Sequence, residues 1–208
     1  MDHLDEIYDA IIDGDTPTTV KWVEAALEAG LSASEILEDG MIMAMDEVGR
    51  LFEEGSIFVP EMLVAARAMK AGLVLLRPYL VKSGIKPVGT VVLGTVAGDM
   101  HDIGKNLVGM MLEGAGYEII DLGIDVAPEK FIEAIEEGNN IIGMSALLTT
   151  TMANMDKTIK AITEAGLRDR VKIVVGGAPV TAAFAQQIGA DGYAADASQA
   201  VTLVKSLL

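Results

Sequence analysis

Over its second half the chain repeats one pattern five times: a short run of aliphatic and β-branched residues, then an amphipathic stretch. The runs are TVVLGTV (90–96), YEIID (117–121), NIIGMS (140–145), VKIVVG (171–176) and GYAA (192–195). Strands of nearly continuous apolar character must be covered on both faces, and the intervening helical patterns supply the cover. The pattern therefore predicts a parallel, doubly wound sheet. Five strands favour the flavodoxin-like order 2-1-3-4-5, in which ligands bind beyond the strand carboxyl ends, between strands 1 and 3.

The first half has a different period. Segments 4–12, 17–29, 33–53 and 60–81 carry apolar residues at three- and four-residue intervals with charges between them, which predicts four helices. DTPTT supplies a capping residue followed by an early proline, and Gly30, Gly55 and Gly84 stand where helices stop. The expected architecture is an N-terminal four-helix bundle, residues 1–84, followed by a Rossmann-like α/β domain with a five-stranded parallel sheet, residues 89–208.

A net charge of -16 without any basic run excludes the usual means of binding nucleic acid or an anionic membrane surface. No apolar run approaches the roughly 20 residues of a membrane helix. With no cysteine and no legible leader, the expectation is a soluble cytoplasmic protein that meets neutral or basic partners.

On the predicted sheet, one edge gathers the polar residues and glycines. Strand 1 runs into Asp99, His101 and Gly104, strand 3 ends at Ser145, and strand 4 runs into Gly176-Gly177. A phosphate-binding loop does not fit the first of these: five residues separate Gly98 from Gly104, and Asn106 follows Lys105 where Ser or Thr is required. Asp99 and Asp102 would also repel a polyphosphate. A lone histidine is ordinarily structural. Here it stands in an exposed loop at a switch point, two residues after a carboxylate, an arrangement in which Asp accepts from one ring nitrogen and leaves the other free for a metal. One histidine cannot hold a zinc ion, so a metal would have to arrive with its other ligands attached.

Asp99-x-His101-x-x-Gly104, then Ser145-x-Leu147 after 40 residues, then Gly176-Gly177 after 28 more, resembles the cobalamin-binding motif of corrinoid methyltransfer proteins and of cobalamin-dependent methionine synthase. The stretch VGRLFEEGSIFVPEMLVAARAM (48–69) resembles the helical cap of the same family. The resemblance implies a cobalamin cofactor whose corrin ring supplies the missing ligands, with His101 as the lower axial ligand to cobalt in place of the displaced benzimidazole. It implies that Asp99 hydrogen-bonds His101, that Ser145 continues a relay toward solvent, and that methyl transfer is coupled to His101 leaving cobalt and gaining a proton. Gly104, Gly176 and Gly177 would let backbone approach the displaced nucleotide tail, with Leu147 and Thr149 beside it. Phe52, Phe58, Val59 and Met62 match the residues that cover the methyl-bearing face, although apolar residues at such spacing also suit a bundle core.

The resemblance further implies a stand-alone methyl carrier serving a donor-specific methyltransferase for a methoxylated aromatic, a methylamine, methanol or a betaine. A second methyltransferase would pass the methyl group to tetrahydrofolate or coenzyme M, and a reductive activator would rescue oxidised cobalt. A cobalamin-sensing regulator and the cobalamin subunit of a mutase-type enzyme are the alternatives. The first would need a DNA-binding segment, which the sequence does not display, and the second lacks the cap sequence LFEEGSIFVPE.

Overall fold

The computed structural model describes residues 2–208. They group into two compact units, one of residues up to Gly89 together with Glu113–Tyr117, the other of Thr90–Leu112 and Glu118–Leu208.

The first unit is helical: α1 (His3–Ile12), α2 (Thr16–Glu28), α3 (Ala33–Glu35), a π-helical stretch Ile36–Ile42, α4 (Met43–Glu53) and α5 (Val59–Lys82). Its caps follow the local sequence. Asp2 accepts the Leu4 N–H at 3.1 Å and Asp15 that of Thr18 at 3.1 Å, while Ser32 and Glu35 form a reciprocal capping box. The predicted helix 33–53 is one continuous helical run whose middle widens by a π stretch. That widening adds a residue per turn, so Ile36 and Met41, five apart, are both fully buried.

The second unit alternates strand and helix: β1 (Thr90–Thr95), α6 (Ile103–Gly114), β2 (Glu118–Asp121), α7 (Pro128–Glu136), β3 (Ile141–Ser145), α8 (Met152–Glu164), β4 (Lys172–Gly176), α9 (Ala182–Gln187), β5 (Gly192–Ala194) and α10 (Ala197–Leu207). All pairings are parallel and the order is β2-β1-β3-β4-β5, as the sequence predicts. Val92, Ile142 and Ile173 of the three central strands are fully buried, as is Phe131 of α7. Phe131 fills the space that a side chain on Gly94 would take: a Cβ there would lie 2.6 Å from its ring. The register pairs Thr95 with Ser145 and Ser145 with Gly176. Adjacent strands therefore end level, and the loops after β1, β3 and β4 emerge side by side. No helix among the described residues is long and apolar enough to cross a membrane.

Candidate functional site

The loop after β1 is held from several directions. Asp125, on the β2–α7 connection, accepts the Gly98 N–H at 2.6 Å through Oδ1 and donates its own N–H to the Asp99 carbonyl at 3.0 Å. The Asn154 amide of α8 donates to the Ala97 carbonyl at 2.6 Å, and the Thr95 hydroxyl donates to the His101 carbonyl at 2.9 Å. Asp125 has φ 52°, the only positive value among the described non-glycine residues. Asp tolerates that region better than most side chains, and here its carboxylate is used at once.

This scaffold places Asp99 wholly out of water while the His101 side chain remains 49% exposed. Asp99 Oδ1 lies 2.7 Å from His101 Nδ1 and also accepts the His101 backbone N–H at 3.1 Å. Oδ2 accepts from the Leu147 N–H at 2.8 Å, the Leu148 N–H at 3.2 Å and the Thr151 hydroxyl at 2.6 Å. Burial pushes the Asp99 carboxyl up. The Thr151 hydroxyl, the His101 ring and the Leu147 and His101 N–H groups outweigh it and hold the group well below the ordinary carboxylate range. An ionised carboxylate only accepts, so Nδ1 is a protonated nitrogen, and in the neutral ring that leaves the lone pair on Nε2. No group of three or more metal-binding side chains exists among the described residues; the histidine offers a single nitrogen.

Large apolar side chains are bare near His101: Met100 and Ile103, one residue before it and two after, are 64% and 82% exposed, and Leu147 and Leu148 on the adjacent loop are each 43% exposed. Asp102, next to His101, is exposed as well. Bare apolar side chains on the loops beside an exposed imidazole suit a mostly apolar ligand. The glycines differ among themselves. A Cβ on Gly104 would meet nothing within 4 Å, whereas on Gly177, with φ 124°, it would lie 2.0 Å from the Ala146 carbonyl oxygen. Gly104 borders open space, and Gly177 answers a need internal to the fold. Gly176 is intermediate: its Cβ would lie 3.0 Å from the Ala194 carbonyl oxygen.

Asp99, His101, Gly104, Ser145, Leu147, Thr149, Gly176 and Gly177 thus sit on the loops and strand ends of one sheet edge. Ser145 is half-buried and is not among the partners of Asp99; the hydroxyl in that place is Thr151, 6% exposed, while Thr149 is exposed. In the helical unit Phe58 and Val59 are 66% and 39% exposed, Phe52 is half-buried and Met62 is fully buried. Thr95, Asp125, Thr151 and Asn154 escape sequence reading. The only hint was the run of three threonines, 149–151, which does not say which one turns inward.

Family comparison agrees with this geometry. Models described as B12 binding domain match residues 89–202 and residues 3–77. The chain belongs to the B12-binding corrinoid proteins. A corrinoid protein of Desulfitobacterium hafniense (strain Y51) is 43% identical across 100% of this chain and 98% of its own. The dimethylamine corrinoid protein of Methanosarcina barkeri is 47% identical across 99% and 97%. Among solved structures, the methanol:cobalamin methyltransferase complex of Methanosarcina barkeri has a chain with TM-score 0.86 and 32% identity, covering 99% of this chain and 79% of that one. This corrinoid protein is accordingly one of those that serve methyltransferase systems, and its cofactor is a corrinoid.

Proposed function

We propose that this protein carries a methyl group between two methyltransferases, holding cobalamin with its benzimidazole displaced and His101 in the lower axial position. The observation that carries the reading is the His101–Asp99 pair: an exposed imidazole with Nδ1 tied at 2.7 Å to a buried carboxylate, on a sheet edge whose loops also leave Met100, Ile103, Leu147 and Leu148 exposed. A bound corrinoid supplies the cobalt that accepts and surrenders the methyl group.

The chain supplies the rest. His101 offers Nε2, and when that nitrogen is released it can take a proton, which the Asp99 carboxylate favours by its charge. Gly104 leaves room for the nucleotide tail, and Gly176 and Gly177 keep the neighbouring strand end free of side chains. Phe52, Phe58, Val59 and Met62 we assign to covering the methyl-bearing face and keeping water from it. A partner must reach that carbon, so access to it has to open during each transfer. The donor we infer is a methylamine, supported by the likeness to the dimethylamine corrinoid protein, with methanol next on the likeness to the methanol system. The acceptor side would be a tetrahydrofolate or coenzyme M methyltransferase, with a reductive activator for oxidised cobalt, all in the cytoplasm.

Electron paramagnetic resonance of the Co(II) protein carrying ¹⁵N-labelled histidine tests the ligand. Superhyperfine coupling that changes with the label is expected; coupling from benzimidazole nitrogen would overturn the assignment. Methylation of the reduced protein by purified methylamine or methanol methyltransferases then reads the donor.

A further inference from the structure

We propose that the exposed face of α5 is a docking surface for the donor methyltransferase, and that it recognises an apolar patch on that enzyme bordered by carboxylates. The inference rests on the proposed function only in naming the enzyme; the chemistry of the surface is that of this chain.

The chain has 31 acidic and 15 basic residues, yet no Asp or Glu falls between Glu61 and Asp99. Helix α5 covers most of that gap. Its one acid, Glu61, stands in the first turn, and Arg67, Lys70, Arg77 and Lys82 follow. Lys70 is paired with Glu113 at 2.9 Å. Arg67, Arg77 and Lys82 are exposed and have no ion-pair partner among the described residues. Other exposed cations of the chain are matched by neighbours on their own helix: Arg50 by Glu47 and Glu54, Lys130 by Glu133, Lys160 by Asp156.

The unmatched charges surround an apolar stripe. Arg67, Val74, Pro78 and Val81 recur at helical spacing and share one face over about 21 Å. Val74 is 65% and Val81 72% exposed, and Pro78 is exposed too. Arg77 and Lys82 border the stripe on either side. The plain alternative is a solvated face, since single exposed valines are ordinary. Helix stability argues otherwise. Valine and proline are poorer choices for an exposed helix position than alanine, lysine or glutamate. Pro78, inside the helix, also has no N–H for the Val74 carbonyl.

Charge selects the occupant. A second copy fits badly, because two α5 faces related by a two-fold axis would set Arg67, Arg77 and Lys82 against their own equivalents. An anionic membrane is an extended surface and meets the repulsion of a chain with net charge -16. A protein of limited extent feels mainly the charges within a Debye length, about 8 Å at physiological salt. Its carboxylates are drawn to this face and repelled from the rest, so the contact orients the partner as well as holding it. A stripe this small gives a transient interface, which suits an enzyme that must release its carrier after each transfer.

The test uses the cobalamin-loaded full chain with purified methylamine and methanol methyltransferases. Arg67→Glu/Arg77→Glu should raise the enzyme's KM for the corrinoid protein roughly tenfold at low salt, with kcat and cobalamin content unchanged, and high salt should shrink the difference. Val74→Ser/Val81→Ser should raise KM roughly threefold with little salt dependence. Arg77→Glu and Arg170→Glu, the latter at an exposed residue between α8 and β4, change the net charge equally, and only the first should raise KM. If the double reversal does not fold, Arg67→Gln/Arg77→Gln takes its place. An unchanged KM in the double variant, or equal effects of Arg77→Glu and Arg170→Glu, overturns the proposal. Binding to phosphatidylserine vesicles, or self-association in sedimentation, that the double variant abolishes also overturns it by giving the face another occupant. Sedimentation with each enzyme separates the two readings. A wild type that binds an enzyme through this face but is not methylated overturns the proposed function and leaves the docking surface standing, and binding to neither enzyme overturns the docking surface itself.

Discussion

The ammonium of Lys105 lies 2.6 Å from both carboxylate oxygens of Asp121, tying the first turn of α6 to the end of β2. The two partners are unequal: the Lys105 side chain is 3% exposed and that of Asp121 is 47% exposed. Removing the buried charge leaves a carboxylate that water can solvate, whereas removing the carboxylate strands an ammonium whose remaining partner is the Asn106 side-chain oxygen at 2.8 Å. Asp121→Ala should therefore destabilise the protein by roughly 3 kcal/mol, and Lys105→Met by clearly less. Urea denaturation of both variants checks the order; equal costs would show that the pair is not effectively buried.

Asp125 combines an unfavourable backbone with a needed side chain, so three substitutions separate the two. Asn keeps tolerance of φ 52° and an oxygen for the Gly98 N–H. Gly removes the strain but loses the hydrogen bond, worth about 1 kcal/mol. Ala loses the bond and adds about 1–2 kcal/mol of left-handed backbone cost. Stability should fall in the order Asn, Gly, Ala, measured by thermal unfolding of the apoprotein. Alanine matching glycine would mean that the loop simply relaxes.

The sheet was open to prediction because a strand buried on both faces must be apolar throughout, and five such runs leave little choice of topology. The motif residues were open too, since their spacing is set by the strand ends that carry them. Thr151 was not. Residues 149–151 are all threonine, and which one faces Asp99 depends on the turn made between Leu148 and α8, a geometry with no compositional mark. Asp125 was hidden for the same reason: nothing in VLGTVAGD or LGIDVAP says that one loop's carboxylate caps the other loop's N–H. In the helical unit, periodicity gave the helices but could not tell fully buried Met62 from exposed Phe58, because both are simply apolar residues near the start of α5.

Asp99 gives a pH dependence with a definite sign. Its carboxyl is held below the ordinary value in the folded protein: burial opposes the charge, but the Thr151, His101 and Leu147 donors prevail. The unfolded chain thus takes up this proton first as pH falls. The stability due to Asp99 is complete above about pH 5 and is lost progressively below it, toward the folded-state value. Asp99→Asn has no such proton to gain. The stability gap between wild-type and Asp99→Asn apoprotein should narrow between pH 5 and pH 2 in denaturant titrations; a gap independent of pH would mean that the folded and unfolded carboxyl groups titrate alike.

Gly104 and Gly177 belong to the same sequence motif, yet their surroundings predict opposite outcomes for the same substitution. At Gly177 a Cβ would sit 2.0 Å from the Ala146 carbonyl oxygen, on a backbone with φ 124° that L-residues rarely adopt. Backbone on both sides cannot yield as a flexible side chain would, so Gly177→Ala should cost about 3 kcal/mol or more in the apoprotein, before any cofactor is present. Gly104 lies in the first turn of α6 with nothing within 4 Å of its would-be Cβ. There alanine should leave apoprotein stability within about 1 kcal/mol of wild type, or raise it slightly, because it favours the helix. If the open space beside Gly104 receives the displaced nucleotide tail, the added methyl should instead appear as weaker retention of cobalamin. Chemical denaturation of the two apoproteins and equilibrium dialysis of cob(II)alamin separate these effects. Full cobalamin retention by Gly104→Ala would reduce Gly104 to a helix-start residue and move the tail elsewhere along the sheet edge, whereas weakened retention with an intact fold would mark it as a binding position and leave Gly177 as a purely structural one.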